Sequence, residues 1–438
     1  MLRLNVEKLR QAIQDFDGFR TVGRLRSASG LVTSSLRAAI GDQCEIIGTY
    51  GESLSAEVVG FANGTTQLAL YETAEELRSG MLVRHSGRRY SVPAGDGLLG
   101  RVVDGLGRAV DDRGPITRCV RIVVDGRAPA AMDRKTISRP FITGQRAIDS
   151  LLTFGLGQRV GIFAGSGVGK STLLGEIAKG SDADVNVIAM VGERGRELRP
   201  FIEHCLGPKG LARSAIVLST SDQSPLMRIR AAQAAISIAE HFRERGANVL
   251  FILDSLTRMA MAQRELGLSR GEPPSARGYT PSVFQLMASL LERLGNSARG
   301  CITGIVTVLV DGDDLDEPVS DAARALLDGH VVLDRKLAER GHYPAIDVAR
   351  SISRVFREVT GAEQQNAARK LRAILSTYAE AEDLLRIGAY VKGTSPAVDK
   401  AVLLMRDAEK FLRQQIDERS TPQQTMQGLA GIAAAWPF

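Results

Sequence analysis

The sequence predicts an α/β fold in three parts: a small N-terminal β-barrel, a central domain on a mainly parallel sheet, and a helical C-terminal domain. Three observations predict it. Short β-like runs separated by glycine and polar turns fill residues 19–92. Beyond Gly157, apolar Val- and Ile-rich strands alternate with helix-length stretches, and from about Ala362 the pattern becomes helical throughout. Such alternation calls for a parallel sheet covered on both faces.

Composition sets the limits. The 438 residues are 44% hydrophobic, 24% charged and 5% aromatic, enough for two or three domains with sizeable cores. No apolar run approaches the roughly 20 residues of a spanning helix, and "MLRLNVEKLRQ" carries charges where a signal peptide is apolar. A cytoplasmic protein is expected. Cys44, Cys119, Cys205 and Cys301 lie far apart with no C-x-x-C pair, which indicates neither a zinc site nor a disulfide framework. The formal charge of +6 is a mild excess over this length, and no nucleic-acid partner is expected from it.

In chain order, residues 1–18 form a leader in which Leu2, Val6, Leu9, Ile13 and Phe16 share one face of an amphipathic helix. That face suits docking on the adjoining domain or binding a partner helix. Residues 19–92 hold the runs "FRTVGRLRSASGLVTSSL", "QCEIIGTY", "SAEVVGFANGTTQLALYE" and "GMLVRHSGRRYSV", spaced as in a small barrel. The central domain spans 93–361, its first part, 93–156, being a glycine-rich connector around "LGRVVDGLGR". The strands "GQRVGIFAG", "DVNVIAMVG", "SAIVLSTSD", "ANVLFILDS", "CITGIVTVLV" and "GHVVLD" follow, with ligands expected at their carboxyl ends. Residues 362–438 make the helical domain.

The most specific feature is Ala164, Gly165, Ser166, Gly167, Val168, Gly169, Lys170, Ser171, which fits the phosphate-loop pattern G-x-x-x-x-G-K-[ST] with alanine first; Thr172 follows. The glycines let backbone N–H groups face inward, and the helix starting near Lys170 adds its positive end. A triphosphate fits that cup: Lys170 would reach the β and γ phosphates, and the Ser171 hydroxyl would ligate Mg²⁺. Hydrolysis needs more. Asp254 closes the buried run "VLFILD" and is the expected metal-side carboxylate. Glu193, in "AMVGERGREL", can polarise water, and Arg194 can hold a γ-phosphate oxygen, although a salt-bridged surface turn would carry the same residues.

The segments "GIFAGSGVGKSTLL", "VGERGRE", "FILDSLTRMAMAQRE", "GEPPSARGYTPSVFQLMASLLERLG", "DGHVVLDRKLAERGHYPAIDVARSISRV" and "AEDLLRIGAYVKG" cover about three quarters of the chain. In this order they resemble the ATPase of type III protein export, particularly its flagellum-specific form. That family in turn resembles rotary proton-translocating ATPase subunits. The resemblance implies an N-terminal barrel, a RecA-like domain and a helical C-terminal domain, with ATP as substrate. It assigns Lys170 and Ser171 to phosphate and Mg²⁺, Glu193 to the water and Arg194 to the γ-phosphate. It also implies that Arg258 lies near the phosphates, where a structural salt bridge is the alternative. Tyr343 would stack on adenine, and Arg354 would be an arginine finger for the next subunit.

The implied assembly is a homohexamer, peripheral to the membrane at an export gate. A stator-like regulator would meet the N-terminal helix, and chaperones and cargo the C-terminal helices; a central stalk-like coupling protein would be turned within the ring. Phe154, where the family commonly has cysteine, and "FQLMASLLERLG" depart from the pattern away from catalytic positions. "IGAYVKGTSPAVDKAV" is closer to the flagellar than to the injectisome branch. The competing readings are an injectisome ATPase, a rotary proton-pumping subunit, an RNA-translocating ring and an ATP-binding scaffold. An RNA translocase would need stacking aromatics in the barrel, where Tyr50, Phe61 and Tyr71 are the few candidates.

Overall fold

The structure, a computed structural model, describes residues 21–28, 30–48, 52–73, 76–310 and 316–438. The amphipathic leader and Tyr50 lie outside the described residues.

Six strands close the N-terminal barrel in the order Val22–Ser27, Val32–Ser34, Thr65–Leu70, Ser53–Ala62, Asp42–Ile47 and Leu82–Arg89. Alternation along each strand sends one set of side chains inward, and Leu25, Val32, Ile46, Val58, Leu68 and Val83 make its core. The runs "FRTVGRLRSASGLVTSSL" and "SAEVVGFANGTTQLALYE" each supply two strands.

The barrel is fastened to the central domain by apolar and ionic contacts together. Leu31, Val59 and Tyr71 pack with Leu226, Met227, Ile229 and Leu266. Within this interface Arg230 Nε donates to Glu57 Oε2 at 2.8 Å, and Tyr71 Oη donates to the same oxygen at 2.6 Å. Tyr71 is therefore spent on structure, buried, and closed to a stacked base.

The central sheet runs Ile346–Ser353, Gly329–Leu333, Arg159–Ala164, Cys301–Leu309, Asn248–Asp254, Val185–Glu193, Ser214–Thr220 and Arg101–Asp104. Neighbours along this path are parallel except the first pair, and the short Gly295–Asn296 strand lies antiparallel to Cys301–Leu309. The glycine-rich connector thus contributes a sheet strand, Arg101–Asp104, that turn-forming residues conceal in sequence. Val185–Glu193 is buried along its whole length, as a strand covered on both faces must be.

Each face of the sheet has its own core. One is covered by the helices Pro225–Glu244, Leu256–Ser269 and Pro281–Leu291. The other takes Leu173, Leu174 and Ile177 of the helix Lys170–Gly180 and continues without a break into Leu371, Ile374, Leu404, Phe411, Leu429 and Trp436. The helical domain, made of Ala362–Arg386, Pro396–Leu412 and Pro422–Ala434, therefore shares a core with the helix that carries Lys170. Among the described residues, no helix is long and apolar enough to cross a membrane.

Candidate active site

The parallel register brings the carboxyl ends of the strands level: Ala164 pairs with Leu309 and Leu333, and Met190 with Asp254. Chain leaving these ends converges on one region. After Ala164 the backbone turns through Gly167 (φ 79°) and Gly169 (φ 88°), left-handed values that favour glycine, and the helix starts at Lys170. This is the strand–loop–helix order that the phosphate-loop pattern requires.

Lys170 lies between two buried carboxylates. Its Nζ is 2.5 Å from Asp254 Oδ1 and 3.6 Å from Glu193 Oε1. Thr307 Oγ1 donates to the same Asp254 oxygen at 2.7 Å. Arg258 Nε lies 3.3 Å from Glu193 Oε1, so two cations face two anions. Gly192 makes that approach possible: a Cβ there would lie 2.9 Å from the Arg258 Cβ. Burial, and then the negative charge of Asp254, raise the Glu193 carboxyl above its ordinary value, against the pull of Lys170 and Arg258.

The other expected residues are distributed as follows. Arg194 caps the helix Gly195–Pro200 and is exposed, its guanidinium 3.6 Å from Glu197. Ser171 is exposed at the start of its helix. Tyr343 is 45% exposed, and its ring edge lies 3.3 Å from where a Gly169 Cβ would stand. Ring and loop border a cavity of about 330 Å³ whose other walls include Thr172, Pro344, Gln414 and Ile416.

Arg354 is apart from all of these. Leu333 pairs with Ile346 near the phosphate loop, whereas Gly329 pairs with Ser353 at the other end of the same strand. Arg354 follows Ser353, donating its backbone N–H to Asp328, about 16 Å along the strand direction from the loop.

Two features escape sequence reasoning. Thr307 is a polar residue in an apolar strand, a signal that marks a buried partner without naming it. The wall formed by Gln414 and Ile416 comes from the helical domain, too far along the chain for local patterns to place it.

The donor set suits Mg²⁺, a hard cation that takes one or two carboxylates and substrate phosphates. Ser171 and Asp254 offer hard oxygens, and Glu193 Oε1 is buried without a hydrogen-bond donor. Ser171 and Asp254 would hold the ion.

This combination of sheet, loop and carboxylates defines a P-loop NTPase of the ATP synthase type. Residues 144–353 match the nucleotide-binding domain of the ATP synthase alpha/beta family, and residues 360–431 match the T3SS EscN ATPase C-terminal domain. The chain is 48% identical to the flagellum-specific ATP synthase of Treponema pallidum (strain Nichols), covering 98% of each. It is 44% identical to the type 3 secretion system ATPase of Pseudomonas savastanoi pv. phaseolicola, covering 97% of this chain and 96% of that one. A solved structure, the assembled ATPase EscN in complex with its central stalk EscO from enteropathogenic E. coli, superposes with a TM-score of 0.87. It is 39% identical and covers 94% of this chain and 100% of its own. The chain belongs to the type III secretion and flagellar ATPase family, an ATP-hydrolysing family related to the ATP synthase α and β subunits.

Proposed function

We propose that the chain assembles as a homohexamer that hydrolyses ATP to energise type III protein export. The observation that carries this reading is the separation of one catalytic set into two places. Lys170, Glu193 and Asp254 meet below the phosphate loop, while Arg354 follows the strand end farthest from that loop, and in this reading it serves the neighbouring subunit. That EscN, 39% identical to this chain, is solved as an assembled ATPase with its central stalk supports assembly here.

In this reading the inward N–H groups of Gly165 to Ser171 bind the triphosphate, and Lys170 reaches its β and γ phosphate oxygens. Ser171 and Asp254 would hold Mg²⁺, which would supply positive charge against the β and γ phosphates. Glu193 orients the attacking water and accepts its proton, with Arg258 fixing the carboxylate. Arg194 holds a γ-phosphate oxygen, Tyr343 stacks on adenine, and Arg354 of one subunit stabilises charge developing on the neighbour's phosphoryl group.

The same reading places a stator-like regulator on residues 1–18, a central stalk inside the ring, chaperones and cargo on the C-terminal helices, and the whole in the cytoplasm beside a membrane export gate. The flagellar and injectisome forms each have support: the relative at 48% identity is flagellar, and the matched C-terminal domain is of the secretion type. Deleting the gene and scoring motility and secreted protein decides between them. Loss of flagellar filaments with intact effector secretion marks the flagellar form, and the reverse marks the injectisome form. ATP turnover that requires RNA would overturn both.

A further inference from the structure

The cavity beside Tyr343 contains a polar side chain that phosphate binding and hydrolysis leave unused. Gln145 lines that cavity and is 4% exposed, yet among the described residues its carboxamide makes no hydrogen bond. A buried amide without a partner costs free energy, so such a group bordering a cavity calls for a ligand that completes it.

The neighbouring polar walls are already engaged. Gln414 accepts from the Arg146 N–H at 2.9 Å and donates to the Gly144 carbonyl at 2.7 Å. Glu176 is paired with Lys179 at 2.6 Å, and Thr172 with the Cys205 thiol. Gln415 also has a free amide, but it is exposed and needs no protein partner.

The backbone of Gln145 is fixed on both sides. Its N–H donates to Thr143 Oγ1 at 3.2 Å, and its carbonyl accepts from the Asp149 N–H at 2.8 Å. Asp149 in turn holds Thr143 and Gly144 through both of its carboxylate oxygens. The side chain therefore leaves a preset backbone with its hydrogen-bonding capacity unspent.

A carboxamide carries an acceptor and a pair of donors in one plane. Adenine offers the complement along one edge, an amino donor beside a ring-nitrogen acceptor, and a single glutamine can serve both. We propose that Gln145 hydrogen-bonds the edge of the nucleotide base while Tyr343 covers its face. The assignment rests on the ATP-hydrolysing reading of this site and adds the residue that recognises the base. Because nothing fixes which way the amide faces, it serves the amino group of adenine or, turned over, the oxo group of guanine. What it selects is a polar substituent at the purine 6-position.

The test titrates full-length wild type and Gln145→Met by isothermal calorimetry with three magnesium-loaded compounds: ATP, purine riboside triphosphate, which lacks the 6-amino group, and inorganic tripolyphosphate. Wild type should bind ATP at least about five-fold more tightly than purine riboside triphosphate, the low end for a bidentate amide–base pair. Gln145→Met should bind those two alike, with tripolyphosphate affinity unchanged, and Gln145→Leu should give the same result. Without nucleotide, the melting temperature of either variant should match or exceed that of wild type, since no hydrogen bond is lost with the amide. A preference for ATP that survives in both variants, or is absent from wild type, overturns the assignment. So does an equal loss for all three compounds, which would mean that Gln145 supports the loop. Failure of wild type to bind tripolyphosphate would overturn the phosphate-loop reading itself, and the assignment with it.

Discussion

The ammonium of Lys170 lies 2.5 Å from Asp254 Oδ1 and 3.6 Å from Glu193 Oε1, so one cation links the phosphate loop to both buried carboxylates. In the proposed mechanism Lys170 binds phosphate, whereas Glu193 acts on the water without holding the nucleotide. Glu193→Gln should retain MgATP affinity within a few-fold while turnover falls about a hundredfold or more, the range for losing a general base. Lys170→Ala should lose both. Nucleotide titration and steady-state hydrolysis on each variant check the split; normal turnover in Glu193→Gln would remove that residue from the mechanism.

The environment of Glu193 also sets a pH dependence. Its carboxyl is raised by burial first and by Asp254 second. A raised carboxyl favours the protonated folded state, so its contribution to stability is fully present below the ordinary value of 4.5 and is lost as pH rises through the folded value. In the proposed mechanism activity moves the other way, because Glu193 must be ionised to act as the base. The acid limb of kcat/KM should therefore lie above the ordinary carboxylate value. Arg258→Gln removes a charge that lowers the pKa and should move the limb higher still. A limb that moves down in that variant contradicts the assignment.

Tyr343 stands beside Gly169 with its ring open to the cavity. Stacking of a base on an aromatic ring contributes about 1–3 kcal/mol. Tyr343→Ala should weaken ATP binding by roughly five- to 150-fold, with tripolyphosphate binding at the loop unaffected, and Tyr343→Phe should be near neutral. Equal losses for ATP and tripolyphosphate would mean that the ring supports the loop rather than the base.

At the barrel interface, Arg230 is tied to Glu57 and stacked 4.7 Å from the Tyr90 ring centroid. Removing one partner of a buried ion pair leaves the other uncompensated, at a cost of about 3–5 kcal/mol. Arg230→Ala should lower the melting temperature and loosen the barrel, while Arg230→Met with Glu57→Gln should recover much of the loss. Hydrogen exchange on the barrel strands reads the difference. Equal destabilisation by the single and double variants would assign the effect to packing alone.

How far the site could be read in advance depended on how local each determinant is. The loop Ala164 to Ser171 and the strand-ending Asp254 rest on patterns a few residues long, and the folded chain places them together. Glu193 was readable as a residue type after a strand, but its burial depends on Arg258, Lys170 and Asp254 converging. Arg101–Asp104 was hidden because its flanking glycines look like a linker, although the strand is completed by pairing with Ser214–Thr220. The third C-terminal helix did carry a local signal, the Thr421–Gln424 capping box with proline at its first turn. Tyr343 and Arg354 needed the family resemblance, since neither has a pattern of its own.

The central claim is that the site is completed across a subunit boundary. An arginine finger contributes roughly a thousandfold or more in rate. Arg354→Ala should assemble normally and hydrolyse slowly, as should Lys170→Ala for a different reason. The decisive measurement is ATP turnover after the two variants are mixed under conditions of subunit exchange. Some interfaces then pair an intact phosphate loop with an intact Arg354, and activity should rise above that of either variant alone. Full activity of Arg354→Ala by itself, or unchanged activity per subunit down to concentrations where sizing shows only monomer, would contradict the account.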